Sequence, residues 1–214
     1  FEDGVVYSVK RDVDQSLCFA AIVPDYKLLT EAARAALPKQ VAHKDAVYNL
    51  SRAALVPAAF CEGRHDLLGI ATEDKLHQPY RMPLMPGSRE VFGLAKQCGA
   101  KAVYVSGAGS TVMAVAERAE AERFYAGLRA GLETLEGLDG CEAFTLLELD
   151  ADNTGAPAAP RFAPQPSGAT TFSSQEPSPL SCTVYHTGAQ MKRGNCPHTD
   201  LFAVSYTHLR AHET

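Results

Sequence analysis

Residues 16–23 read Ser-Leu-Cys-Phe-Ala-Ala-Ile-Val, a dense apolar run closed by Pro24 and Asp25, and predict a buried strand followed by a turn. Thr30 carries a hydroxyl suited to N-capping, so a short helix over 31–37 is expected, ended by Pro38. Val47, Leu50, Ala54 and Leu55 recur at helical spacing and predict a longer helix over 44–61, its apolar positions in the core, kinked or shortened by Pro57. Beyond Gly63 the pattern predicts another amphipathic helix over 66–76. Pro79, Pro83, Pro86 and Gly87 then mark a turn-rich connection. A helix over 89–98 is expected to stop at Gly99, a good C-terminal residue for a helix. Two short apolar runs, 102–105 and 111–116, enclose a glycine loop and predict a hairpin. A helix over 119–135 and a last strand over 143–149 complete the series.

That order of elements predicts an α+β domain with an antiparallel sheet covered by helices. Its expected extent is 16–155, with 1–15 as a connection from something that precedes it. The style changes after Asp150. Seven of the thirteen prolines lie between 151 and 203, among many Ser, Thr and Gly residues, so 156–203 is expected to be a disordered tail or to be out of frame. Residues 204–214 resemble a translated sequencing adapter, which would exclude them from fold reasoning. The chain begins at Phe1 and its first methionine is Met82, so it reads as a sequence cut at its N-terminus.

Composition narrows the classes. The chain has 214 residues, 46% hydrophobic and 21% charged, which suits a globular protein and excludes wholesale disorder. The net charge of −5 gives no footing for nucleic acid or an anionic membrane surface, and no apolar stretch is long enough to span a bilayer. Six cysteines stand far apart, without CxxC or zinc-ligand spacing, and no metal site is expected. Buried free thiols in a reducing, cytoplasmic setting are the expectation.

Four clusters carry candidate chemistry. Thr30 and Arg34 lie one helical turn apart; a capping hydroxyl and a solvated charge account for them, and so does a pair facing a pocket. A guanidinium grips a carboxylate with two parallel hydrogen bonds, which an ammonium cannot do. Asn49, in the run 45–55, either satisfies a neighbouring backbone group or holds a pocket wall. The run His77-Gln78-Pro79-Tyr80-Arg81 follows Glu73 and Asp74. It reads as a solvated loop, or as a restrained turn that offers Arg81 as a second cation opposite Arg34. Ser106-Gly107-Ala108-Gly109 is either a hairpin turn or a backbone cradle for an anion. The GxGxxG dinucleotide fingerprint and the Walker A pattern are both missing from the chain.

Taken in order, Val23-Pro24-Asp25-Tyr26, Thr30-x-x-x-Arg34, the run 45–55, Glu73-Asp74, His77 to Arg81, Pro86-Gly87 and Ser106-Gly-Ala-Gly-x-Thr111 resemble the homoserine kinases of the GHMP small-molecule kinase superfamily. The resemblance covers about residues 1–155 and matches that family's C-terminal half. It implies a GHMP kinase C-terminal domain and transfer of the ATP γ-phosphoryl group to L-homoserine, in threonine biosynthesis. It implies ATP and Mg²⁺ as cofactors, both bound mainly by the N-terminal half, and admits a homodimer. By the same resemblance Arg34 and Arg81 would bind the substrate carboxylate and Thr30 would help shape that pocket; Asn49 and His77 complete the candidate substrate-binding set. Ser106, Gly107, Ala108 and Gly109 would brace the site beside the phosphate loop. Two departures stand out: Ser110 replaces the family's usual proline, and Pro57 stands where a helical aliphatic is usual. The ATP-binding loop and the Mg²⁺-binding acid find no counterpart here, so this chain alone is expected to be catalytically inert. Another GHMP kinase acting on an alcohol such as mevalonate, and a metabolite-binding module without catalysis, are the alternative readings.

Overall fold

In the computed structural model, which describes residues 9–137, 141–154 and 190–193, β1 (Leu17–Pro24) is the middle strand of a five-stranded sheet. β3 (Val112–Glu117) and β4 (Phe144–Asp152) flank it; β2 (Ala102–Val105) lies outside β3 and β5 (Gln190–Arg193) outside β4. Every pairing is antiparallel, and Phe19 is in register with Val115 on one side and Leu149 on the other.

The central place of β1 explains its unbroken apolar run. Successive strand side chains point to opposite faces. Leu17, Phe19 and Ala21 pack on one face with Ala59 and Phe60 of α2 (His43–Cys61) and Leu68 and Ala71 of α3 (Leu68–Ala71). Cys18, Ala20 and Ile22 pack on the other with Val91 and Ala95 of α5 (Ser88–Gln97) and Phe124 and Leu128 of α6 (Ala121–Glu133). A polar residue on either face of β1 would lose roughly 1.5–3 kcal/mol of burial per large side chain replaced. The expected α+β layering is what the structure shows.

α5 ends as the sequence indicates. Gly99 has φ 101°, and the N–H groups of Gly99 and Ala100 donate to the carbonyls of Lys96 and Ala95, the paired bonds of a Schellman motif. α5 and α6 approach closely because α6 carries glycines on the shared face. A Cβ on Gly131 would lie 2.2 Å from Leu94 Cδ1, and one on Gly127 would lie 2.9 Å from Cys98 Sγ.

Several local expectations change. α1 runs Thr30–Ala35 with Leu29 as its cap residue, so the Thr30 hydroxyl caps nothing. Pro57 does not shorten α2, which continues to Cys61. The helix expected over 66–76 is a 3₁₀ turn, His65–Leu67, followed by α3, which stops at Ala71; the Thr72 N–H and hydroxyl both donate to the Leu68 carbonyl, at 3.2 and 2.9 Å. The connection after it is partly helical: α4 (Gln78–Arg81) and a 3₁₀ turn, Met82–Leu84. The largest correction concerns α2. Val47 and Leu50, expected in the core, are 49% and 72% exposed, and only the C-terminal end of the helix is buried against the sheet. At the other end of the domain, Val13 is already buried and is held by Asn153, whose side chain exchanges two hydrogen bonds with the Val13 backbone at 2.9 and 2.8 Å.

Cys18, Cys61, Cys98 and Cys141 are free thiols. Cys182, Cys196 and the expectations for 156–203 and 204–214 lie outside the described residues, except that Gln190–Arg193 form β5. Among the described residues no helix is long and apolar enough to cross a membrane.

Candidate functional site

Arg81 closes α4 and is only 4% exposed. Its Nη1 donates to the Gly107 carbonyl at 2.7 Å and its Nε to the Ala33 carbonyl at 3.4 Å. One guanidinium thus ties α4 to α1 and to the loop between β2 and β3. Burial pushes the Arg81 pKa down; the Asp74 carboxylate opposes that fall, and the Arg34 charge adds to it. Arg34 and Arg81 are therefore within electrostatic reach of each other. Arg34 sits exposed in the last turn of α1, and no described residue holds its guanidinium by a hydrogen bond or ion pair. Two cations brought together, one buried and fixed and the other free, form a place for an anion.

The turn that carries Arg81 is organised from outside. Asp74 accepts hydrogen bonds from Asn49 Nδ2 at 2.6 Å and from the backbone N–H groups of Leu76 at 3.1 Å, His77 at 2.7 Å and Gln78 at 2.5 Å. His77 Nδ1 is 3.2 Å from the same carboxylate. Burial alone would raise the Asp74 pKa, but the bonds from His77, Asn49, Gln78 and Leu76 outweigh it and hold the carboxyl well below the ordinary carboxylate range. Asn49 satisfies a backbone group, as one of its two readings allowed: its amide oxygen accepts the Lys75 N–H at 2.9 Å, while its nitrogen anchors Asp74. Gln78 joins the same turn to the sheet edge, accepting the Val105 N–H at 3.0 Å and donating to the Thr72 carbonyl at 3.2 Å.

A second set of contacts staples residues 73–75 to α2. Arg52 Nε and Nη2 both reach Glu73 Oε2, at 3.2 and 3.1 Å, and the Tyr48 hydroxyl donates to the same oxygen. The Arg52 guanidinium lies 3.5 Å from the Tyr48 ring centre and Lys75 Nζ lies 4.1 Å from it.

The glycine loop, Ser106 to Gly109, is half-buried and closed on itself. The Ser106 N–H donates to the Thr111 carbonyl and the Gly109 N–H to the Ser106 carbonyl, both at 2.9 Å. Gly109 has φ 94°, and a Cβ there would lie 2.9 Å from Met85 Sδ, so both conformation and space require glycine. Ser110 Oγ donates to the Tyr26 carbonyl at 3.4 Å. The Tyr26 hydroxyl donates to the Pro86 carbonyl at 3.1 Å, and burial pushes its pKa up to about 12.

The structure therefore brings together Arg34, Arg81 and Gly107, and reaches His77 and Asn49 through Asp74. Thr30 stands exposed at the start of α1, one turn before Arg34. Sequence reasoning assigned no role to Asp74 or Gln78. An aspartate three residues before His77, upstream of a proline-containing turn, was the available signal. A cavity of about 670 Å³ opens elsewhere, between α3, α5 and β2, lined by His65, Thr72, Lys96 and Val103 among others; Arg34, Arg81 and the glycine loop do not line it. Among the described residues no group of three or more His, Cys, Asp or Glu side chains is placed to hold a metal ion.

Residues 57–134 match the family described as GHMP kinases C terminal. The homoserine kinase of Clostridium beijerinckii is 42% identical over 156 residues, 73% of this chain and 50% of that protein. The homoserine kinase of Caldicellulosiruptor saccharolyticus is 40% identical over 155 residues, 72% of this chain and 49% of that one. The chain spans about half the length of the curated relatives it matches. The crystal structure of homoserine kinase from Cytophaga hutchinsonii superposes with a TM-score of 0.58 at 25% identity, covering 65% of this chain and 43% of that chain.

Proposed function

The chain carries a GHMP kinase C-terminal domain, and from that premise we propose that it is the C-terminal half of a homoserine kinase, the half that holds the substrate's carboxylate. The supporting observation is a buried Arg81 anchored to the glycine loop and to α1, with Arg34 of α1 within electrostatic reach of it and held by no described residue. Arg81 commits Nη1 and Nε to backbone carbonyls and keeps Nη2 for a ligand. Among the described residues nothing engages the Arg34 fork. A carboxylate between them would be gripped bidentately by Arg34 and oriented by the fixed charge of Arg81. The reaction moves the γ-phosphoryl group of ATP to the substrate hydroxyl, and its rate depends mainly on positioning and charge stabilisation. This half supplies the positioning.

ATP and Mg²⁺ belong to the same reading, through the kinase family. Among the described residues no group of three or more His, Cys, Asp or Glu side chains is placed to hold Mg²⁺, and the glycine loop spends its Ser106 and Gly109 N–H groups on its own carbonyls rather than offering them to a phosphate. In this reading both are bound by the other half of the fold, for which relatives of twice the length have room. The 214-residue chain alone is then inert.

The test is a titration of the chain with L-homoserine, read by NMR at the arginine Nε–H groups. Saturable shifts at Arg34 and Arg81, lost in Arg34→Lys and Arg81→Lys, support the proposal. Shifts with mevalonate and none with homoserine would move the reading to another GHMP kinase. Phosphorylation of homoserine by this chain and ATP alone would refute the half-enzyme reading.

A further inference from the structure

We infer that Asp74 is a positioning residue for the Arg81 guanidinium: its carboxylate fixes the turn that carries Arg81, and with it the place where a substrate carboxylate is held. The substrate part rests on the homoserine-kinase reading; the positioning part rests on the hydrogen bonds alone.

α4 is four residues long. A single helical turn does not hold itself, because its nucleation costs more than its few internal bonds return. Pro79 stands in its first turn, where the missing N–H would have had no helical partner, and the N–H groups around it still need acceptors from outside the helix. Asp74 makes up the deficit. Its side chain is 12% exposed and accepts the N–H groups of three consecutive residues, Leu76, His77 and Gln78, that lead into the turn. Asn49 then locks the carboxylate to α2.

Asp74 makes no hydrogen bond to Arg81. It acts on Arg81 through the backbone and through its charge, the negative charge that opposes the effects of burial and of Arg34 on the guanidinium. The pull on Arg81 also has an opposite end. Its bonds to Gly107 and Ala33 reach those carbonyls only if the turn stays where Asp74 sets it.

The neighbouring contacts separate this role from general stability. Glu73 is stapled to α2 by Arg52 and Tyr48, and Gln78 is tied to Thr72 and Val105. Those contacts do not involve the Asp74 carboxylate, so Glu73 and Gln78 keep the segment attached to the domain when Asp74 changes, while the N–H groups of residues 76–78 lose the acceptor that orders the turn. An asparagine at position 74 offers one acceptor oxygen and one amide group, and the amide cannot accept from the N–H groups that meet it.

The experiment uses the 214-residue chain as wild type, Asp74→Asn and Asp74→Ala. Hydrogen exchange is followed at Arg81 Nε–H and, as an internal reference, at Arg118 Nε–H, which donates to the Gln15 carbonyl at 2.7 Å. In both variants exchange at Arg81 is expected to accelerate about tenfold or more while Arg118 is unchanged. Affinity for L-homoserine is expected to fall about tenfold. Unchanged exchange at Arg81 in both variants overturns the inference. Equal acceleration at Arg118 overturns it as well, because Asp74 would then hold the whole domain. If Arg81 responds as expected but the wild type does not bind homoserine, the positioning role stands and the substrate reading falls.

Discussion

The Arg81 guanidinium and the Gly107 carbonyl meet at 2.7 Å across 26 residues of chain. That bond joins a turn held by α2 to the glycine loop at the end of the sheet, and the Nε bond to Ala33 brings α1 to the same point. The pair is the hinge of the proposed site, because it sets the distance between the fixed cation and the loop.

Arg81→Ala removes the donor from two backbone carbonyls beneath the surface. Leaving such groups unpaired costs about 1–3 kcal/mol, and urea unfolding of the variant is expected to show a loss of that order. A loss below about 0.5 kcal/mol would mean the guanidinium is not holding the loop.

Gly131→Ala and Gly93→Ala are expected to act in opposite directions. Alanine gains about 0.5–1 kcal/mol over glycine in a helix. At Gly93 a Cβ meets nothing within 4 Å, so that gain is expected in full. At Gly131 the Cβ would press on Leu94 Cδ1, Cδ2 and Cγ at 2.2, 2.8 and 3.0 Å, and overpacking of this kind costs about 1–3 kcal/mol. Thermal melting of the two variants should therefore bracket the wild type, and destabilisation by Gly93→Ala would contradict the open space seen there.

Asp74 gives the protein an acid-sensitive element. In the unfolded chain its carboxyl titrates near its ordinary value of 3.8, and in the folded protein it titrates lower. Its contribution is thus complete above pH 3.8 and is lost as the pH falls, since the unfolded chain then binds the proton more readily. Melting temperatures measured from neutral pH downward should fall more steeply below about pH 4 for wild type than for Asp74→Asn. Parallel curves would remove Asp74 from the acid limb.

Leu50→Ser is expected to leave stability within about 0.5 kcal/mol of wild type, because Leu50 is 72% exposed and buries little that a serine would lose. Its effect should appear in solubility. Val47 and Leu50 lie one turn apart on α2, and an open apolar stripe favours association. Light scattering at rising concentration would show the variant staying monodisperse longer than wild type; identical behaviour would mean the stripe is inert.

Those two residues also mark the limit of reading the chain by pattern. Val47, Leu50, Ala54 and Leu55 have the period of a core-facing helix, and the helix is there. The period says that a residue belongs on an apolar face; it does not say which body covers that face. Residues 66–76 failed differently. Their polar and apolar positions fit a helix, but Asp74 gathers the N–H groups of Leu76, His77 and Gln78, so a side chain takes the donors that a continuing helix would need.

What the sequence determined by itself was the dense apolar run of β1 and two local features, the hairpin around the glycine loop and the Gly99 stop of α5, the last two set by contacts within one hairpin or one turn. The two arginines and the loop were legible as residue types, and motif order pointed to their family. Only the tertiary structure decided that Arg81 is buried and bonded to Gly107 and Ala33, that no described residue holds Arg34, and that Asp74 gathers the N–H groups of the turn that carries Arg81. The Arg81 anchors and the Asn49–Asp74 lock are hydrogen bonds between residues about 25 to 50 positions apart. Such bonds form only once α1, α2, α4 and the sheet are packed, so no local pattern encodes them.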